Sequence, residues 1–336
     1  MTTTLKAQTV SAAFTHFLRE KVNLDPDDSK GARSSRDWLL TQIHGFPDKH
    51  SDFPLLYTDM DIASGSFARK TKIRELDDVD LISCLIGDGS YYTEYGDELR
   101  ITVPNTFSRL RALCFDDSDT LNSRKVINRF VKALNDVPQY RDAASRNGEA
   151  AVLELKSYPW NFDVVPGFFT APTFTGATYY VIPNGKGHWK KTDPRLDRDR
   201  VSLVNQAHDG GVLNVIRSLK YWNRRPTMPS MGSYLLECML VDHYQGRSEK
   251  AISVQFEVHK ALDYIRSAVS QPVYDPKGIQ GDLNDLDYLQ RLKISKRAEQ
   301  DSNKALAALV YEVNGEHEKA INLWIEIFGP EFPTYG

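Results

Sequence analysis

The chain has 336 residues, enough for two folded lobes, because single hydrophobic cores usually stop growing at roughly 250–300 residues. Hydrophobic residues make up 41% and charged residues 26%, and no stretch approaches the roughly 18 consecutive apolar residues of a membrane-spanning helix, so no membrane partner is expected. The formal net charge of −3 argues against a nucleic-acid duplex as partner, since binding one requires a strongly basic face.

Neither the start of the sequence nor its cysteines indicates secretion or bound zinc. The first residues lack a positively charged segment followed by an apolar segment and a cleavage site, so a cytoplasmic protein is expected. Cys84, Cys114 and Cys238 are odd in number and far apart, and no two of them form a Cys-x-x-Cys pair. We therefore expect neither disulfides nor a structural zinc.

The first predicted element is a helix over residues 8–22, where apolar residues recur at three- and four-residue spacings. Residues 25–36 are rich in Asp, Ser, Gly and Arg and are predicted to form a loop. A second, short helix is predicted around Trp38, Leu39 and Ile43.

Four segments are predicted to be strands of one sheet, because they are rich in β-branched and apolar residues. They are residues 55–62, 79–86, 150–155 and 160–165. Between the second and the third, Val126, Phe130 and Leu134 mark a helix that ends at Pro138.

Beyond Ile182 the composition changes. Residues 184–200 combine many Gly, Pro, Lys, Arg and Asp with few apolar residues, which indicates a loop and a boundary between lobes. The pattern after it is helical, with one helix from Val204 to Leu219 and others at 235–240, 256–265, 305–313 and 320–328. The last two form a hairpin that breaks at Asn314-Gly315 and stops at Gly329-Pro330.

These elements predict an α+β chain in three parts. Residues 1–24 are expected to form an N-terminal helix that bridges the lobes, residues 25–195 a lobe that contains the sheet, and residues 196–336 a helical lobe.

Residues 63–81 carry the features that indicate chemistry. Gly65-Ser66 follows a strand and opens a predicted short helix, where glycine lets the backbone approach a phosphate and the serine hydroxyl can donate to it. Residues i and i+2 of a strand point to one face, so Asp78 and Asp80 present two carboxylates side by side, while Asp77 faces away as a structural or solvent-facing residue. Paired carboxylates beside phosphates select Mg²⁺ or Mn²⁺.

A third carboxylate is needed to hold a second ion. Asp163 is the polar exception in the predicted strand 160–165, which would lie next to the first pair in the sheet. The catalytic and metal-binding residues are thus predicted to be Asp78, Asp80 and Asp163. The expected reaction is in-line attack of a ribose hydroxyl on an α-phosphate with pyrophosphate release, assisted by two metal ions. Asp163 would be the ligand, and the candidate base, nearest the attacking hydroxyl.

This pattern resembles the signature of the polymerase-β-like nucleotidyltransferases, in which Gly-Ser precedes an acidic-apolar-acidic strand by about a dozen residues. Later segments, Leu219-Lys220-Tyr221-Trp222-Asn223 and Ser233-Tyr234-Leu235-Leu236-Glu237, together with the ending from Ala298 to Phe332, resemble the cGAS/DncV-like nucleotidyltransferases (CD-NTases). The resemblance implies a polymerase-β-like core with a mixed β-sheet, a C-terminal helical lobe and an active site in the cleft between them.

The resemblance also implies a function. It is the templateless synthesis of a cyclic di- or trinucleotide second messenger from ATP, GTP or other NTPs, in an anti-phage system with a separate effector. Lys220 and Ser233 would bind the triphosphate, and Tyr234 would stack on the base, as an ammonium, a hydroxyl and an aromatic face can. The alternative is that Lys220 is a solvated helix residue and Tyr234 a core aromatic.

Expected partners follow from the same resemblance. The zinc-binding His/Cys insertion of the animal DNA sensor is missing, so activation by double-stranded DNA is not expected. Some family members end in a glycine that accessory ligases join to other proteins, and this sequence ends in Gly336. Accessory regulatory or ligase proteins are thus candidate partners of a chain expected to be a monomer.

Two alternative functions are open to a chain of this fold. A CCA-adding or RNA-tailing nucleotidyltransferase shares them, but the net negative charge argues against an RNA partner. A catalytically silent nucleotide-binding scaffold would keep the fold without needing the aspartates, and their presence argues against it.

Overall fold

The computed structural model of the protein describes residues 5–226, 229, 231–251 and 253–336. The chain divides into two compact units. The helical unit consists of Met1–Asp25, Arg69–Glu75 and Asp197–Gly336, and the sheet unit consists of Pro26–Ala68 and Leu76–Leu196.

Helices and strands alternate in the first two thirds of the chain, and helices dominate the last third. The helices are α1 (Val10–Phe17), α2 (Pro26–His44), α3 (Phe46–Lys49), α4 (Gly65–Ala68), α5 (Ser123–Asn135), α6 (Pro194–Ala207), α7 (Val212–Asn223), α8 (Ser233–Gln245), α9 (Val254–Ala268), α10 (Tyr288–Val313) and α11 (His317–Phe328). The strands are β1 (Lys6–Ala7), β2 (Ile62–Ala63), β3 (Asp78–Leu85), β4 (Tyr91–Tyr95), β5 (Glu98–Thr102), β6 (Ala144–Asn147), β7 (Ala150–Glu154), β8 (Asn161–Phe169), β9 (Tyr180–Pro183), β10 (Trp189–Thr192) and β11 (Thr334–Tyr335).

The sheet unit is built on a mixed sheet of nine strands among the described residues. Its main order is β2-β3-β8-β9-β10-β5-β4, and the β6-β7 hairpin extends from β8 through β7. Strands β3 and β8 are parallel, and the other neighbouring strands are antiparallel. The mixed sheet implied by the family resemblance is therefore confirmed, as are the predicted strands at 79–86, 150–155 and 160–165.

Helix α5 supplies a large part of the core of this unit. Its N-cap residue Asn122 accepts hydrogen bonds from the backbone N–H groups of Arg124 and Lys125, which fixes its start. Its apolar residues Val126, Ile127, Phe130 and Leu134 are fully buried. Burying side chains of this size stabilises the fold by roughly 1.5–3 kcal/mol each.

The prediction of a loop at residues 25–36 was wrong, because α2 runs through it. Pro26 suits the first turn of a helix, and Asp27 and Asp28 follow it there, where negative charge complements the helix dipole. Gly31 does not break the helix, because it lies against Trp160: a Cβ at Gly31 would meet the indole ring at 3.2 Å. The helix buries few residues, so its apolar stripe was too sparse to recognise.

The predicted strand at residues 55–62 was also wrong, apart from its last residue in β2. A 3₁₀ turn, Thr58–Met60, interrupts it. The carboxylate of Asp61 accepts a hydrogen bond from Cys84 N–H at 2.7 Å, taking the place of a backbone partner. The chain therefore turns where a strand would have continued the ladder.

The helical unit begins with α1, which continues as a π-helical turn, Leu18–Val22, so the predicted helix at 8–22 is confirmed. Phe14 and Phe17 pack on Trp324, Phe328 and Phe332 with ring centroids 4.8–6.0 Å apart. This aromatic cluster joins the start of the chain to its end, where β1 pairs in parallel with β11.

The single helix predicted from Val204 to Leu219 is two helices, α6 and α7. Asp209 and Gly210 both adopt left-handed backbone conformations between them, with φ of 54° and 86°. Strand β10 and the start of α6 also occupy the region 184–200 that was predicted as a loop. The hairpin of α10 and α11 is confirmed, with its turn at Asn314-Gly315 and its end at Gly329. Helix α10 begins at Tyr288, earlier than predicted.

The three cysteines are free and buried. No helix in the part of the chain that the structure describes has both the length and the apolar character needed to cross a bilayer.

Candidate active site

Strands β3 and β8 bring the three predicted aspartates together in the sheet unit. The two strands are neighbours, as predicted, with Asp80 directly opposite Asp163 and Asp78 opposite Asn161. Alternate residues of a strand point to opposite faces, and neighbouring strands lie roughly 4.8 Å apart, so the three aspartates share one face. The other face is buried, with Val79, Leu81, Phe162 and Val164 each at most 1% exposed.

The aspartates are accessible, although their backbone is fixed by the sheet. All three are half-buried, so each side chain keeps part of its surface exposed. Asp77 is exposed, and its carbonyl oxygen accepts a hydrogen bond from Asn161 N–H at 2.9 Å. The prediction that Asp77 is solvent-facing is thus confirmed.

Gly65 packs directly on the Asp80 carboxylate. A Cβ at this position would lie 1.7 Å from Asp80 Oδ2, and the φ of +69° lies in the left-handed region that glycine adopts without strain. The backbone N–H of Ser64 also donates to the Asp80 carbonyl oxygen at 3.0 Å. The turn from β2 into α4, which carries Ser66, is therefore attached to the strand that carries Asp80.

The donor set fits a hard divalent cation, because carboxylate oxygens from adjacent strands are the ligands that Mg²⁺ and Mn²⁺ prefer. Within the described residues, no three His, Cys, Asp or Glu side chains already stand in metal-ligand geometry. The roles of Asp78, Asp80 and Asp163 as metal ligands stay predictions that rest on the shared face and register.

In the helical unit, Lys220 lies in the last turn of α7 and is buried, so it is not a solvated helix residue. Its Nζ donates to Oε1 of Glu237 at 2.7 Å, while Nε of Arg69 donates to Oε2 of the same carboxylate at 2.9 Å. Burial lowers the pKa of Lys220, and Glu237 opposes that effect. Burial also works to raise the pKa of Glu237, but the two cations outweigh it and hold that pKa below its usual value. The ion pairs with Lys220 and Arg69 thus favour the ionised form of the Glu237 carboxyl.

Tyr234, in the first turn of α8, is half-buried and fixed by its hydroxyl. The hydroxyl donates to Asp197 at 2.6 Å and accepts from Lys277, whose ammonium lies 4.4 Å from the ring centroid. Burial and the neighbouring carboxylates raise the pKa of Tyr234 far above its usual range. Ser233 precedes it at the start of the helix and is exposed. The nucleotide-binding roles of both residues stay predictions.

Sequence reasoning missed the charged residues around Lys220 and Tyr234. Lys277 is buried between Asp275 and Asp197, at 2.8 Å and 3.3 Å from their carboxylate oxygens. Glu237 was quoted only as part of a motif, although a charged residue inside the apolar run of α8 could have indicated a buried ion pair. Arg69 carried no signal of its own.

Comparison with known proteins places these features in a family. No protein-family model matches the sequence. A probable cyclic nucleotide synthase of Bacillus cereus strain VD146 is 42% identical over 330 residues, which cover 98% of this chain and 99% of that protein.

Solved structures show the same fold at low identity. CdnC of E. coli MS115-1, solved with ATP, has a TM-score of 0.70 at 17% identity, over 96% of this chain and 98% of that one. The same CdnC in a complex with HORMA-deltaN gives 0.69 at 17%, with the same coverage. The GTP-bound form of Vibrio cholerae DncV gives 0.66 at 11%, over 97% and 96% of the two chains. The chain belongs to the cGAS/DncV-like nucleotidyltransferases, the family of the cyclic nucleotide synthases.

Proposed function

We propose that this enzyme makes a cyclic di- or trinucleotide second messenger from NTPs without a template. The observation that carries the proposal is the register of Asp80 opposite Asp163, with Gly65 packed on the Asp80 carboxylate. The 42% identical relative, a probable cyclic nucleotide synthase, supports the class of product.

In the proposed reaction, a ribose hydroxyl attacks the α-phosphate of an NTP. A new O–P bond forms while the bond from that phosphorus to the pyrophosphate oxygen breaks, and pyrophosphate leaves. Two divalent ions held by Asp78, Asp80 and Asp163 would make the hydroxyl more acidic and offset the charge on the phosphates. Asp163, as the residue nearest the nucleophile, accepts the hydroxyl proton. For a cyclic dinucleotide, a second transfer within the linear product closes the ring. For a cyclic trinucleotide, the second transfer adds a third nucleotide and a third transfer closes the ring.

The remaining residues bind the donor nucleotide. Gly65 and Ser66 present backbone N–H groups and a hydroxyl to its phosphates, and Lys220 and Ser233 supply an ammonium and a second hydroxyl. Tyr234 offers a ring face to the base, which stacking engages without reading its identity.

The direct experiment is mass spectrometry of products from a mixture of the four NTPs with Mg²⁺ or Mn²⁺. We expect a phosphatase-resistant cyclic oligonucleotide together with pyrophosphate. Asp80→Asn and Asp163→Asn should abolish the product, while Asp77→Asn, the adjacent exposed carboxylate, should retain it. A product made equally well by Asp80→Asn would refute the site. Extension of an added RNA in place of a cyclic product would assign the enzyme to the RNA-tailing class.

We also propose that the product serves anti-phage defence and that an accessory protein controls its synthesis. The complex of CdnC with HORMA-deltaN supports the second part. Cells carrying the gene in its native surroundings should plate phage less efficiently than cells carrying Asp80→Asn. Equal plating across a broad phage panel would contradict the defence role.

A further inference from the structure

A single carboxylate in the helical unit holds two cations from distant parts of the chain. Glu237 lies in α8 among buried apolar residues, and its side chain is 2% exposed. Lys220 from α7 and Arg69 from the segment after α4 each donate to one of its two oxygens. Each carboxylate oxygen thus accepts a hydrogen bond from one cation, and these bonds fix the orientation of the two cationic side chains.

The guanidinium of Arg69 has more N–H donors than its hydrogen bond to Glu237 uses. Its Nε–H is directed to Glu237, the only hydrogen-bond acceptor that Arg69 has among the described residues. The two Nη groups form the planar fork that matches two oxygens of a phosphate. The guanidinium carbon lies 5.4 Å from the ring centroid of Tyr234, which is predicted to hold the base. Arg69 also shares its carboxylate partner with Lys220, which is predicted to bind phosphate.

We propose that Arg69 binds the triphosphate of the donor NTP, and that Glu237 is the positioning residue that orients both Arg69 and Lys220 toward it. This inference rests on the proposed function for the identity of the ligand. Burying three charges is costly unless each is satisfied, and a tightly held carboxylate satisfies one donor of each cation while leaving others for a ligand.

A purely structural ion pair is the competing explanation, and the same unit contains a matched example. Arg247 donates to Glu257 at 2.7 Å, Glu257 is 1% exposed, and the guanidinium carbon of Arg247 lies 5.1 Å from the ring centroid of Tyr244. No predicted nucleotide-binding residue belongs to this second pair. It therefore serves as a control for the loss of a buried arginine or of its carboxylate.

The test measures binding of inorganic tripolyphosphate with Mg²⁺ by calorimetry, which requires neither a base nor turnover. We expect Arg69→Met and Glu237→Gln to weaken binding by about ten-fold or more, the share of a charge-assisted hydrogen bond. Arg69→Lys keeps the charge but loses the fork, so its loss should be smaller. Arg247→Met and Glu257→Gln should lower the melting temperature while binding stays within about two-fold of wild type.

Unchanged binding in Arg69→Met, whether or not its melting temperature falls, would overturn the inference. Equal losses in the Arg247 and Glu257 variants would also overturn it, as would a wild-type protein that does not bind tripolyphosphate. If tripolyphosphate binding follows the expected pattern but the protein makes no cyclic product, the proposed function is refuted and this inference stands. A product-forming enzyme with no effect of Arg69→Met would sink only this inference.

Discussion

Gly65 occupies a position that no other residue can fill without moving Asp80. The contact depends on both the absence of a side chain and a left-handed φ. Gly65→Ala should therefore lower product formation by about a hundred-fold, because a displacement near 1 Å of a reacting group has effects of that size. The left-handed backbone alone should cost about 1–2 kcal/mol of stability.

Gly148 serves as a control that separates the loss of product formation from the loss of stability. It also has a positive φ, of +55°, in the turn between β6 and β7, but a Cβ added there would have no atom within 4 Å outside the adjoining residues. Gly148→Ala should show the loss of stability in urea unfolding with normal product formation. Normal activity in Gly65→Ala would contradict the role given to its contact with Asp80.

His243 makes part of the stability of the helical unit dependent on pH. Burial, followed by the charge of Arg247, lowers its pKa to about 4, and its Nε2 lies 3.2 Å from Nη1 of Arg247. In the unfolded chain its pKa is about 6.5, so between these values the unfolded state binds more protons. Stability therefore falls as the pH drops through this window, by about 2 kcal/mol once partial exposure is allowed for.

His243→Gln keeps an acceptor for Arg247 but does not titrate. Urea unfolding of both proteins at about pH 7 and about pH 4.5 isolates the contribution of His243 from that of other groups. The variant should lose less free energy of unfolding between the two conditions than wild type does. The same loss in both proteins would show that His243 is not held neutral by the fold.

Among the elements, α10 has the best-defined start. The Asp287 side chain accepts from Gln290 N–H at 2.8 Å, and the Gln290 side chain accepts from Asp287 N–H at 2.9 Å, which forms a capping box. Asp287→Ala should cost about 1 kcal/mol, measured by urea unfolding. Asp285→Ala, an exposed aspartate just before the helix, is the control and should have little effect. Equal effects of the two changes would refute the capping role.

The parts of the fold that could be predicted from sequence are those with local causes. The strand around Asp78 and Asp80 could be predicted from its apolar and β-branched residues, and the shared face of the two aspartates from the alternation of side chains along a strand. Asp163 could be recognised as the polar exception in an apolar strand. Helix α2 could not be predicted, because it buries few apolar residues and packs on Trp160, which is distant in sequence. The strand expected at 55–62 failed because Asp61 takes a backbone hydrogen bond that no local pattern shows.

Ion pairs across the sequence were beyond prediction for a related reason. Arg69 and Glu237 are 168 residues apart, and Lys277 and Asp197 are 80 apart. A single sequence contains no information on which of many charged residues meet. Only the anomaly of a charge within an apolar helix, as at Glu237, points to such a pair.

At the scale of the whole molecule, this chain shares its fold with proteins whose sequences differ from it at most positions. The solved structures of CdnC and DncV share the fold at 11–17% identity, whereas the Bacillus cereus relative keeps 42% identity along the chain. What the distant structures have in common with this chain is therefore the framework.

The proposed function requires that Asp78, Asp80 and Asp163 form one metal site. Crystals grown with Mn²⁺ and a non-hydrolysable NTP analogue would test it through anomalous scattering from manganese. We expect manganese within about 2.2 Å of carboxylate oxygens from all three aspartates, the distance typical of small hard cations. Manganese bound to the nucleotide and to other residues, with Asp163 contacting none of it, would contradict the claim.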